Sequence, residues 1–99
     1  MKTKNVNGVT FEQDFHNNWT ATRNAEDGAI EVLNVSPAEF DEGIWVWSAH
    51  IEGGKYGVLN GRLISFNVDG DSISMGAAMK DATEAFGKWK SDLNYLASL

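Results

Sequence analysis

From Ser74 onward the hydrophobic period of the chain changes from two to about 3.6 residues. Met75, Ala78, Met79, Ala82, Phe86, Trp89, Leu93 and Leu96 recur at spacings of three and four, which puts them on one face of a long amphipathic helix. Ser74 has the chemistry of an N-cap, and Ile73 before it is positioned to staple onto the first turn. Lys80, Asp81, Glu84, Lys88, Lys90 and Asp92 fall off the apolar stripe and read as a solvated face. One such helix buries its stripe by covering one face of whatever precedes it.

What precedes it is strand-like. "WTATR" at 19–23 and "AIEVLNV" at 29–35 flank the turn chemistry of "NAEDG", in which Gly28 can take a positive φ, and read as a hairpin. "IWVWSAHIE" at 44–52 is the strongest strand, and "RLISFNV" at 62–68 the next, ended by "DGDS". "SPAEFDEG" between 36 and 43 reads as a loop or one helical turn, with Pro37 at a first helical position. The stretch through Asn18 mixes turn signals with "VTFEQDF" and predicts a short strand or an irregular arm. Short links between successive strands favour an antiparallel meander. The expected fold is therefore a two-layer α+β domain spanning residues 1–99, with about four strands covered on one face by the C-terminal helix.

Alternation divides the sheet into two faces. Trp45, Trp47, Ala49 and Ile51 share one, with Leu33 and Val35 and with Ile64, Phe66 and Val68. This set matches the helix stripe, so the two tryptophans are expected in the core; a partner-binding patch is the alternative, since Trp is enriched in interface hot spots. The opposite face, with Ile30, Val32, Ile44, Val46 and Leu63 beside Ser48 and His50, is mixed. Either it is an uncovered patch used for association, or the N-terminal arm folds over it with Phe11 and Phe15.

Little in the chain speaks for catalysis. There is no cysteine, which excludes disulfides, thiolate metal sites and thiol nucleophiles, and favours the cytoplasm. His16 and His50 are too few and too far apart in sequence to suggest a metal site or a triad. A calcium loop laid over "NVDGDSIS" aligns Asn67, Asp69 and Gly70, but puts Gly76 where the bidentate Glu is required. "GGKYG" lacks the spacing of a phosphate loop. No enzyme, cofactor or metal is expected. No signal peptide or membrane-spanning stretch is expected either, because no long apolar run occurs.

Fourteen acidic residues against eight basic ones give a net charge of −6, which disfavours direct nucleic-acid binding and suits a basic protein surface. In size, charge and layout the chain resembles small acidic accessory proteins of bacteriophages and mobile elements, of the anti-CRISPR kind. The resemblance implies a non-enzymatic inhibitor in the cytoplasm of a bacterial host. Its partner would be a host defence protein or ribonucleoprotein with a basic nucleic-acid-binding surface, and acidic loops would occupy sites that otherwise hold phosphates. The candidate partner-binding residues are Glu26, Asp27, Glu39, Phe40, Asp41 and Glu42, in the loops at the ends of the strands. The alternative function is a small self-associating domain, a homodimer through the mixed sheet face.

Overall fold

A computed structural model of the chain describes residues 2–14, 16–24, 29–52, 58–59, 62–63 and 67–98; the side chains at 58–59, 62–63, 90 and 93–98 lie outside that description. Phe15, Gly28, Ile64 and Phe66, placed above from sequence, are likewise outside the described residues. The strands are β1 (Thr3–Val6), β2 (Val9–Gln13), β3 (Trp19–Asn24), β4 (Ile30–Pro37), β5 (Trp45–Glu52), β6 (Val58–Leu59), β7 (Arg62–Leu63) and β8 (Asn67–Ser72), followed by the helix α1 (Met75–Ser98). Six of them form one antiparallel sheet in the order β1-β2-β3-β4-β5-β8, and β6 and β7 pair as a separate ribbon on the β5–β8 connection. The α+β class is as expected; the main sheet has six strands rather than about four.

The two extra strands are β1 and β2, and their cause is local. Asn7 and Gly8 both adopt positive φ, 53° and 78°, which gives a two-residue turn whose twist matches that of the flanking strands. The N-terminal stretch is therefore a hairpin, with Val6 opposite Val9 and Thr3 opposite Glu12. It extends the sheet edgewise, and Val9 and Phe11 point to the helix side, so it is not an arm folded over the opposite face. After it, the Asp14 carboxylate accepts hydrogen bonds from the backbone N–H of Asn18 (3.0 Å) and His16 (2.8 Å), which hold its pKa below the ordinary carboxylate value.

At the other edge, β8 takes the last two residues of the strand expected at 62–68 and continues through "DGDS", the segment expected to end it. It pairs with β5 from Trp45 opposite Ser72 to His50 opposite Asn67. Glycine is tolerated there because the Trp47 indole lies directly over Gly70: a Cβ on Gly70 would stand 2.7–2.8 Å from ring atoms of Trp47. Gly70→Ala is expected to cost about 1–3 kcal/mol through displacement of that ring, read as a lower urea midpoint. An unchanged midpoint would mean that the indole swings aside freely.

The helix covers one face of the sheet. Phe11, Leu33, Val35, Ala49, Ala78, Met79 and Ala82 are almost fully buried between the layers, with Val9, Trp19, Ala21 and Phe86 beside them. Each large apolar side chain so buried stabilises the fold by about 1.5–3 kcal/mol. Trp45, Trp47, Ile51 and Val68 pack against this cluster from the sheet, so the two tryptophans do face the helix, each partly buried. Trp89 stands at the margin, stacked on Phe86 with ring centroids 5.7 Å apart. Ser74 caps the helix, its Oγ accepting the Ala77 N–H at 3.1 Å. Ile73 does not staple: it is 84% exposed, because the chain leaves the end of β8 with this side chain turned outward.

A polar network pins the two layers together. Glu31 is in phase with Leu33 and Val35 and is only 1% exposed. Arg23, its register partner on β3, holds it by two parallel hydrogen bonds of 2.8 Å, and the same guanidinium donates to the Thr83 carbonyl of α1 at 2.9 Å. The Thr83 hydroxyl donates to the Lys80 carbonyl and accepts from the Asn7 side chain, both at 2.8 Å. Hairpin β1–β2, strands β3 and β4 and the middle of the helix thus meet at one satisfied cluster.

Candidate functional site

Pro37, Trp45 and Ser72 stand side by side at one end of the sheet. The β4–β5 connection and the β8–α1 junction leave from this end. The connection is closed by two backbone hydrogen bonds, Ala38 N–H to the Ile44 carbonyl (2.8 Å) and Ile44 N–H to the Asp41 carbonyl (3.1 Å). It is a tight hairpin tip, not a helical turn. Glu39, Phe40, Asp41 and Glu42 are all exposed on it, and Phe40 is 89% exposed. Ile73 emerges at the same end. The tip therefore offers a solvent-facing ring among three carboxylates, with a second apolar side chain on a neighbouring element. Glu26 and Asp27 lie outside the described residues.

The sheet face away from the helix is polar and interrupted. Val32 sits between Thr22 and His50, Val46 between Ser36 and Asp71, and Ile30 between Asn24 and Glu52. The His50 ring Nε2 lies 3.0 Å from Glu52 Oε1 on this face. Ile30 and Val46 are 42% and 36% exposed, but each is flanked by polar neighbours in its own row, so the described part of this face forms no continuous apolar patch. Leu63 belongs to the separate ribbon and not to this face.

A third surface was not visible in the sequence. Between the β8 edge and α1 runs a cleft of about 610 Å³, lined by Trp47, Val68, Asp69, Asp81, Glu84, Ala85, Lys88, Trp89 and Asp92. Its helix wall is the stripe Asp81, Glu84, Ala85, Lys88 and Asp92, at spacings of three and four. Asp81 also accepts the Ser72 hydroxyl at 2.7 Å, which satisfies a buried polar group and ties the strand to the helix. These acids look like a solvated helix face in sequence; only the adjacent strand edge makes them a wall.

Among the described residues no group of three or more His, Asp or Glu side chains is arranged to hold a metal ion, and no helix is long and apolar enough to cross a membrane. Comparison with protein-family models, with curated proteins and with solved structures finds no match to this chain.

Proposed function

We propose that this chain is a non-catalytic binding module that engages a basic protein surface through the β4–β5 tip. One observation carries the reading: Phe40 is 89% exposed between exposed carboxylates. A large ring held in water on a closed hairpin stabilises nothing in the fold, whereas a central aromatic with charges around it is the composition of an interface hot spot and its rim. With a net charge of −6, the natural counterpart is a surface rich in Lys and Arg. In its specific form the partner is a nucleic-acid-handling protein or ribonucleoprotein of a bacterial host, inhibited because the tip occupies a phosphate-binding site. The self-associating alternative draws less support, since among the described residues Ile30, Val32 and Val46 on the outer sheet face are each flanked by polar residues on the neighbouring strands.

The test is affinity capture from bacterial lysate with the parent and with Asp41→Lys/Glu42→Lys as baits, followed by titration of the captured protein. The double reversal is expected to weaken binding by well over tenfold, as opposed charge pairs at close interfaces couple by about 1.5–7 kcal/mol. Stability should move by no more than about 0.5 kcal/mol, because the substituted side chains are exposed. Phe40→Ala should lose binding with an unchanged melt. Equal capture by parent and double reversal would remove the tip from consideration.

A further inference from the structure

The cleft between β8 and α1 combines an apolar lining with carboxylates in one concave surface. Its apolar lining comes from Trp47, Val68, Ala85 and Trp89. Its carboxylates come from the helix wall, Asp81, Glu84 and Asp92, with the ammonium of Lys88 among the described lining residues; Asp69 lines the strand edge, in register with Ser48.

We propose that this cleft receives an arginine side chain carried by a basic segment of a partner protein. An anion would be repelled by the three helix carboxylates. A purely apolar occupant would strip them of water and give nothing in return. The occupant must therefore be cationic and also have a surface to lay on indole. A guanidinium does both at once: its plane stacks on an aromatic ring while its edge donates paired hydrogen bonds to carboxylates. An ammonium is a strongly hydrated point charge that meets the acids but makes less of the rings. At about 610 Å³ the cleft has room for the residues flanking the side chain as well, which suits a peptide segment. A second copy of this chain is a poor donor. It also carries a charge of −6, and of its two arginines Arg23 is already committed to Glu31 and Thr83. This inference does not depend on the hairpin tip, which lies at the end of the sheet rather than along its edge.

The experiment titrates the full chain with the capped peptide Gly-Arg-Arg-Gly and with its lysine counterpart, following the indole N–H signals of Trp47 and Trp89 by NMR. The arginine peptide is expected to give saturable shifts at both indoles and the lysine peptide clearly weaker ones. Glu84→Gln/Asp92→Asn removes two exposed charges and should weaken the arginine peptide by about tenfold with an unchanged thermal midpoint. Asp41→Lys/Glu42→Lys should retain close to the parent affinity, which separates this site from the tip. The proposal is overturned by an absence of saturable shifts, by an equal response to the lysine peptide, by retained affinity in the Glu84/Asp92 variant, or by equal loss in the tip variant.

Discussion

Arg23→Ala is expected to destabilise the protein by about 3 kcal/mol, the lower end of what removing one partner of a buried ion pair costs. The reason is the group left behind. Glu31 is 1% exposed, and both its oxygens are taken by the guanidinium. Truncation leaves a carboxylate under the helix with neither a counter-charge nor donors, and frees the Thr83 carbonyl that the same guanidinium served. The low end applies because the Arg23 side chain is itself 36% exposed, so water reaches part of the vacated space. Urea unfolding of the parent and variant measures the difference. Replacing both partners with apolar residues, Arg23→Met with Glu31→Leu, should recover most of the loss, since the cost lies in the unpaired charge rather than in the absence of the pair. A single-variant loss below about 1 kcal/mol, within the range of exposed pairs, would show that Glu31 is readily hydrated in the native state.

Phe11→Ala should cost about 3–5 kcal/mol, the range for deleting a fully buried aromatic ring. Phe11 is 0% exposed and belongs to the same cluster as Leu33, Met79 and Phe86. The magnitude matters because it tests whether the N-terminal hairpin is integral to the core. If the hairpin were peripheral, its largest side chain would be expendable, and chemical denaturation would show a loss under about 1 kcal/mol with a second transition for the detached β1–β2 unit. One cooperative transition at a lower midpoint is the expected result.

The elements that could be read in advance are those whose own residues carry the pattern. The helix stripe from Met75 to Trp89 and the alternation of Trp45, Trp47, Ala49 and Ile51 announce their buried faces without help from neighbours. Two strands did not announce themselves. β1 is an edge strand with Val6 as its one apolar residue, so it has no alternation to detect, and only the turn at Asn7 and Gly8 marks its pairing. β8 contains Asp69, Gly70 and Asp71, poor strand formers by themselves; it exists because Trp47 covers the glycine and Asp81 satisfies Ser72. Tertiary contact overrode local preference in β8, whereas β1 follows from its turn.

The polar features follow the same division. The exposure of Glu39, Phe40, Asp41 and Glu42 follows from a polar loop between two strong strands. Glu31 was legible in principle: it is an acid in phase with Leu33 and Val35, and its hairpin partner is an arginine in phase with Trp19 and Ala21. Such a matched pair of charges on the inward side of a hairpin is a signal of a buried bridge. The cleft had no comparable signal. Its walls come from β5, β8 and α1, and its acids acquire a common direction only when the helix lies beside the strand edge.

The long reach of the helix contacts has a consequence for how the chain comes off the ribosome. Asn7 meets Thr83 across 76 positions, and Arg23 meets the Thr83 carbonyl across 60. Synthesis runs from the strands to the helix, so every strand of the sheet is made before the element that covers it. In that interval Phe11, Leu33, Val35 and Ala49 have no lid, and the growing sheet presents an apolar face that chaperones bind and other nascent chains adhere to. Closure of contacts this distant is slow relative to hairpin formation, so the exposure outlasts the pairing of the strands. A nascent chain that has emerged only as far as Ser72 would therefore be an aggregation-prone form of this protein, and release from that hazard would come as the segment up to Phe86 emerges.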